Sequence, residues 1–314
     1  MKTLHDKSKA KTLGLFDLMK LYPTKQSACE YLEKMRWGNN LHCVRCGSTE
    51  KISKNKKKHN SYWCGLCRKY FNAQTGTPLE AANLDPRKWI YASYLLMTSR
   101  KGISALQLSK ELDINYNTAW YVLHRLRLAC GVKMEALTGE VEIDETYLGG
   151  KEANKHASRK LKQGRGTVGK QAVLGMRSRN GKVVAMVIDN TAQATIHPKI
   201  LENVELGSIL YTDEHKSYDG LNGILYKQKR INHSAKEFVN EMAHTNGIES
   251  VWAVLKRGFN GTYHQWSKKH CHAYVNEFTF RLNEGNVKHD TQDRLDSLFS
   301  SMDGKEITYR QLTA

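Results

Sequence analysis

Four of the seven cysteines stand as two pairs, Cys43-x-x-Cys46 and Cys64-x-x-Cys67, with 17 residues between the pairs. No other feature restricts the fold as strongly. Two thiolates at this spacing grip one edge of a tetrahedral metal ion from a tight turn, and a second such turn supplies the opposite edge. Gly47 follows the first pair and Gly65 lies within the second, where a positive φ is easily reached. The N-terminus, MKTLHDKSKAK, is basic and no long apolar core follows it, so secretion and disulfides are not expected. The spacing therefore predicts a zinc ribbon holding structural Zn2+ on Cys43, Cys46, Cys64 and Cys67. Such a module is too small to fold without its metal. Cys29, Cys130 and Cys271 read as small buried apolar residues.

The charge points to a partner. In 314 residues, 49 Lys and Arg face 31 Asp and Glu, a net +18, and 40% of residues are hydrophobic. This excludes a disordered chain and leaves room for two or three cored domains. A strong basic excess favours a polyanion, either nucleic acid or an anionic membrane surface. No run approaches the 18 apolar residues of a membrane span, so the expected partner is double-stranded DNA, with no membrane role and a cytoplasmic location. Residues 1–140 carry +13 of the net charge and residues 141–314 the remaining +5. Five lysines fall within Lys51–Lys58, between the cysteine pairs. A lysine run alone is usually a solvated loop. On a rigid ribbon, Lys54, Lys56, Lys57 and Lys58 become phosphate contacts.

Residues 85–130 read as helices. Asp85-Pro86 is a cap followed by proline in the first turn, and Trp89, Ala92, Tyr94, Leu95 and Leu96 form an apolar stripe. A second amphipathic stretch, Gly102–Leu112, and a third, Thr118–Arg127, flank a polar break at Asp113–Asn117. Two short helices around a brief turn suggest a helix-turn-helix, or more plainly an ordinary helical hairpin. In the first case the later helix presents its opening turn to base edges. The candidate contacts are Asn115, Asn117, Thr118, Tyr121 and Arg125.

After residue 140 the periodicity changes. Val141–Tyr147 alternates as a strand does. Val173–Arg179 and Lys182–Ile188 are strands joined by Asn180-Gly181, a strong hairpin signal. Residues 192–204 fit a helix, Ser208–Thr212 and Ile224–Lys229 are short strands, and a helix runs from about Thr245 to Arg257. Residues 151–170 are basic and glycine-rich and read as a loop. Three strands, a helix, a strand, a short helical piece, a strand and a helix match a ribonuclease H-like mixed sheet. In that arrangement the first and fourth strands lie side by side. Asp144 on the first and Asp213 at the end of the fourth then meet, and Glu249 on the later helix completes a carboxylate set. Three carboxylates suit Mg2+ or Mn2+, hard cations that take oxygen ligands and activate phosphodiesters in pairs. Lys256 lies two helical turns after Glu249 and Asn246 three residues before it, on one face. Glu145, Asp189 and Glu214 are nearby acids, so the choice among carboxylates stays open on this reading.

The stretch Ile143-Asp144-Glu145-Thr146-Tyr147-Leu148-Gly149-Gly150-Lys151 resembles the first-aspartate motif of bacterial insertion-sequence transposases that carry an N-terminal zinc ribbon. Tyr211-Thr212-Asp213 looks like the second motif. Asn232-His233-Ser234 and His244–Trp252, continued through Leu255-Lys256-Arg257-Gly258, look like the third. Gly261–His264 and Glu277–Asn283 fit the region beyond it. The similarity runs from about Ala28 to Asn283. It implies a DDE-type transposase that binds terminal inverted repeats and cleaves and joins DNA strands with Mg2+. It implies catalytic roles for Asp144, Asp213 and Glu249, with Asn246 as the alternative third residue, and a homo-oligomer that synapses two ends at the nucleoid. The expected organisation is an N-terminal helical segment (1–37), a zinc ribbon (38–80), a helix-turn-helix domain (81–135), a ribonuclease H-like domain (136–290) and a tail (291–314). A DNA-binding regulator derived from a transposase, or a nuclease of the same fold, is the competing reading.

Overall fold

A computed structural model describes residues 10–56, 60–132, 134–150, 156, 158, 160, 167–221, 223, 225–231, 245–284 and 289–314. Lys57, Lys58, Asn232-His233-Ser234, His244 and most of the 151–170 loop lie outside the described residues. The chain divides into two units, one from 1–131 together with 284–314, the other from 132–283.

The first unit opens with α1 (Leu15–Leu21) and α2 (Lys25–Trp37). Thr24 and Ser27 close a capping box, each side chain accepting the other's backbone N–H, which satisfies two amides that the first turn leaves open. Three short strands follow, β1 (Ile52–Lys54), β2 (Tyr62–Cys64) and β3 (Lys69–Phe71), in an antiparallel sheet of that order. Such a sheet is too small to bury much. Trp37 supplies its core by meeting Tyr62 and Phe71 edge-on at 5.5 and 6.0 Å. Next comes α3 (Pro86–Thr98), which starts where Asp85-Pro86 predicts, the Asp85 carboxylate accepting the Arg87 N–H at 2.9 Å. Ser104 caps α4 (Ala105–Glu111), and Asn115 caps α5 (Tyr116–Cys130) by accepting the Thr118 N–H at 2.7 Å. Because Asn115 is the cap, α5 starts two residues before the expected Thr118, and Asn117 sits within its first turn.

In the second unit, β4 (Glu140–Leu148), β5 (Gln171–Ser178) and β6 (Val183–Ile188) precede α6 (Gln193–Asn203). Then come β7 (Ile209–Thr212), β8 (Lys227–Arg230), α7 (Asn246–Gly258) and α8 (Cys271–Glu284). The sheet is mixed and ordered β6-β5-β4-β7-β8. The first and fourth strands of this half are parallel neighbours, Val141 opposite Leu210. Strand β8 begins three residues later than Ile224. The alternation in β4 sorts its side chains. Val141 and Ile143 pack with Ile196 and Ile200 of α6 on one face. Leu148 packs with Ile248, Val251, Trp252 and Leu255 of α7 and Phe278 of α8 on the other. Gly175 of β5 is required here, because a Cβ would overlap the Trp252 ring.

Residues 291–314, expected only as a tail, carry α9 (Thr291–Ser300) and α10 (Tyr309–Thr313) and belong to the first unit. Leu295, Leu298 and Phe299, at helical spacing, are buried. Phe299 meets Tyr31 edge-on at 5.4 Å, and the Tyr31 hydroxyl donates to Asp296 at 2.7 Å. Arg36 pairs with Asp303 at 2.7 Å. Phe299→Ala is expected to destabilise this unit by about 3–5 kcal/mol. Urea unfolding measures it, and a loss near zero would show that the terminal helices are dispensable.

Candidate functional site

The two cysteine turns converge. Cys43 and Cys67 stand 3.7 Å apart through sulfur, as do Cys46 and Cys64, and all four sulfurs lie within 4.8 Å of one another. A tetrahedron with Zn–S bonds of about 2.3 Å has edges of about 3.8 Å, so the donor set fits a structural ion such as zinc. The Cys43 carbonyl accepts the Gly47 N–H at 2.7 Å, and Gly47 takes a φ of 74°. The second turn uses Arg68 at φ 51° in the equivalent place, not Gly65. Backbone N–H groups of Cys67 and Leu66 hold the Cys64 thiol down to about 7, while burial and the neighbouring thiols push Cys67 up to about 12, so four thiolates this close need a cation among them. Zinc is expected to be equimolar with the chain by elemental analysis and lost in Cys64→Ser, with unfolding of β1–β3. A metal-free chain of unchanged fold would refute it.

Asp144 lies midway along β4, half-buried, with the Trp252 indole N–H donating to it at 2.9 Å. Asp213 follows β7 directly and accepts the His215 backbone N–H at 2.9 Å. Glu249 is exposed in the first turn of α7, where the helix dipole favours an acid, and accepts from the Thr245 hydroxyl at 3.2 Å. Burial pushes the Asp144 carboxyl above the ordinary range. The Glu145 N–H and the Trp252 indole oppose this, and the charges of Asp213 and Glu249 add to it. Asp144 thus feels two acids that stand 69 and 105 residues after it in the sequence. Among the described residues only the four sulfurs form a group of three or more ligand atoms within 4.8 Å, while these carboxylates spread over three elements.

Glu145 also belongs to this cluster. Burial raises its carboxyl, the Tyr218 hydroxyl donates to it and lowers it, and Asp213 and Asp144 raise it again. Asp189 and Glu214 are exposed. On α7, Asn246, Glu249 and Lys256 are all exposed, as their shared face requires.

Glu142 escaped the sequence reading. It is 1% exposed and accepts the Ile248 backbone N–H at 2.7 Å. Standing two residues before Asp144, it shares that residue's face of β4. It therefore ties the N-terminus of α7, with Asn246 and Glu249, to the strand that carries Asp144. The backbone must come close for this, and Gly247 permits it: a Cβ there would overlap the Arg177 guanidinium and the Glu142 carboxylate. The Glu142-x-Asp144 spacing and a glycine directly after Asn246 were the available signals. Gly247→Ala is expected to cost about 1–3 kcal/mol through overpacking; a thermal melt identical to the parent protein's would contradict this contact.

Lys54 and Lys56 are exposed on and beside β1, and Asn117 is exposed in the first turn of α5, with Thr118 half-buried beside it. Tyr121 and Arg125 are committed internally. The Tyr121 hydroxyl donates to the Ile307 carbonyl at 2.9 Å. Arg125 is 6% exposed, donates to the Glu80 carbonyl and the Tyr121 hydroxyl, each at 2.9 Å, and stacks on the Tyr121 ring at 4.3 Å. Arg125 is thus corrected from a surface contact to an interior residue, its place on the buried stripe of α5 outweighing its charge.

With these positions established, comparison with known proteins is direct. Residues 136–283 match the family model of the ISXO2-like transposase domain. A protein of Halobacterium salinarum described as an uncharacterized protein in transposable element ISH50 is 29% identical over 274 residues, 84% of this chain and 92% of that protein. An uncharacterized transposase-like protein of Haemophilus influenzae is 37% identical over 110 residues, 34% of this chain and 85% of its own length. The match spans the strand of Asp144, the end of β7 and the whole of α7, and the chain belongs to the insertion-sequence transposases with an ISXO2-like transposase domain.

Proposed function

We propose that the protein is a DDE-type transposase that binds the terminal inverted repeats of its element, cleaves the strand there and joins the freed end to target DNA. What supports this is that Asp144 lies close enough to Asp213 and Glu249 for both charges to raise its carboxyl, with Lys256 and Arg257 exposed further along α7. On this reading 136–290 is a ribonuclease H-like catalytic domain. The domains before it are the helical segment 1–37, a zinc ribbon at 38–80 and a helix-turn-helix at 81–135. The last two grip duplex DNA through Lys54, Lys56 and the first turn of α5. Two copies hold two ends, and the work is done at the bacterial nucleoid.

The acids need a reason to be together in a chain of charge +18. Unscreened, they would repel both one another and the phosphate backbone. Asp144, Asp213 and Glu249 form an all-oxygen donor set of the kind that holds Mg2+ or Mn2+, and such ions, when bound, neutralise that repulsion and polarise the phosphodiester. The side chains of this protein do the rest. Trp252 holds the Asp144 carboxylate in one orientation. Thr245 does the same for Glu249. Lys256, two turns along the same helix face, pairs with a DNA phosphate and keeps the strand over the acids. A water oxygen attacks phosphorus and releases a 3′-hydroxyl; that hydroxyl then attacks a target phosphodiester and displaces the target's own 3′-oxygen. Neither step needs a covalent bond to the protein. Asn246 is the alternative third residue and otherwise orients Glu249 from one turn away.

The test uses labelled duplexes made from the DNA that flanks the coding region, with Mg2+ and a target plasmid. The parent chain is expected to give joined product. Glu249→Gln is expected to lose at least about a hundredfold in cleavage, in line with removal of one transition-state contact, while end binding stays unchanged. Nicks without joining would mean a nuclease, and binding without cleavage a regulator. A fully active Glu249→Gln beside an inactive Asn246→Ala would move the third position to Asn246.

A further inference from the structure

A cavity of about 640 Å3 opens in the second unit at the far end of β4, away from the acids. Leu148 and Cys271 line its floor, and Gly149, Gly150 and Gly169 add no side chains to fill it. One wall is aromatic. Trp266 lies over Tyr274 at 4.6 Å with the rings 19° apart, and Phe259 meets Trp266 edge-on at 4.6 Å. At the rim stand His264, Gln265 and Lys268, all exposed. His264 is held at φ 57°, a left-handed conformation that few non-glycine residues adopt and that often marks functional turns.

We infer that this cavity takes an unpaired nucleobase of the DNA strand that lies over the acids. The inference rests on the transposase reading above and adds a binding site to it. The chemistry of the walls selects the ligand. A rigid aromatic ring backed by a second ring is a platform for a base face. An imidazole and an amide at the rim present donors and acceptors to a base edge. The Lys268 ammonium faces the phosphate that follows. The volume falls within the range of about 300–1,000 Å3 that small-ligand pockets occupy. A base still paired in a duplex cannot enter so recessed a space, so the occupant is one turned out of the stack.

Position supports the same ligand. Leu148 lies four residues beyond Asp144 on the same face of β4. At about 3.3 Å per residue the two are about 13 Å apart. That distance is about four nucleotides at the B-form spacing of roughly 3.4 Å per strand, and fewer in a strand pulled out of the duplex. A base held here fixes the register of the strand over Asp144, Asp213 and Glu249 and keeps the end from re-annealing.

The experiment uses the full-length, zinc-loaded chain and two probes. One is a blunt mixed-sequence duplex. The other is the same duplex ending in a single-stranded overhang that carries 2-aminopurine, whose fluorescence falls on stacking. The expected result is quenching of the overhang probe by the parent protein. Trp266→Ala should lose the quenching and bind the overhang probe about tenfold more weakly, the size of one lost base stack, and Trp266→Phe should retain both. Gly150→Leu fills the mouth with an aliphatic side chain from an exposed position where a Cβ meets nothing within 4 Å, and should abolish quenching without disturbing the interior, which guards against misfolding of Trp266→Ala. Blunt-duplex binding should be equal in all. Duplex binding without quenching by the parent protein overturns the inference alone. Equal loss of both probes in Gly150→Leu overturns it as well. A parent protein that binds neither probe removes the transposase reading and this site with it.

Discussion

Everything in the second unit is arranged around like charges brought close together. Asp144, Glu145, Asp213 and Glu249 come from three elements and from both faces of one strand, and burial and mutual repulsion raise the carboxyls of Asp144 and Glu145. Such a cluster does not assemble by its own attraction. The scaffold holds it. The parallel pairing of β4 with β7 sets Glu142 opposite Tyr211, and the same register carried two residues on brings Asp213, just past β7, toward Asp144. The carboxylate of Glu142, sealed from water, fastens the first turn of α7 to the same strand. Removing one partner from a buried charged contact of this kind is far more damaging than its net contribution suggests. Glu142 and Gly247 are therefore as much a part of the site's geometry as the acids on display.

The first unit solves the opposite problem, too little apolar surface. Strands β1–β3 are three residues each, and their core is Trp37, Tyr62 and Phe71 around two cysteines. A sheet of that size is held by cross-links, and four sulfurs at tetrahedral spacing supply one. The terminal helices add a second source of burial. Phe299 meets Tyr31 edge-on and Leu298 is buried beside it in the same helix, so chain from the far end completes the N-terminal core.

Much of this was legible in the sequence, and the legible parts share a property. Asp85-Pro86, the Asn180-Gly181 turn, each Cys-x-x-Cys pair and the alternation of β4 are local, each written in fewer than ten consecutive residues, and the structure carries all of them. The four acids were legible as candidates because strand and helix periodicity placed them. What escaped depends on distant partners. Glu142 stood out in no way from the rest of its alternating strand, and only Ile248, more than a hundred residues on, shows why it is buried. Arg125 looked like a surface base on an exposed helix, and only the Glu80 carbonyl and the Tyr121 ring reveal its interior place. The helix at Thr291–Ser300 shows its Leu295, Leu298, Phe299 stripe in the sequence, but the stripe does not say which face it covers.

The same contrast separates side chains left exposed from side chains that hold the protein together. On α5 Asn117 in the opening turn is exposed and Thr118 beside it is half-buried, whereas Tyr121 and Arg125, one and two turns later, are spent on internal contacts. A charged or aromatic side chain near an interface is thus not by itself a contact, since burial decides it. Applied to α7, the rule selects the opposite outcome. Asn246, Glu249 and Lys256 are exposed while Ile248, Val251, Trp252 and Leu255 are buried. The helix is amphipathic in two senses, anchored by its apolar face and by Glu142 at its start. Its polar face, with Asn246, Glu249 and Lys256, stays exposed among the described residues, and that is the face on which the proposed function rests.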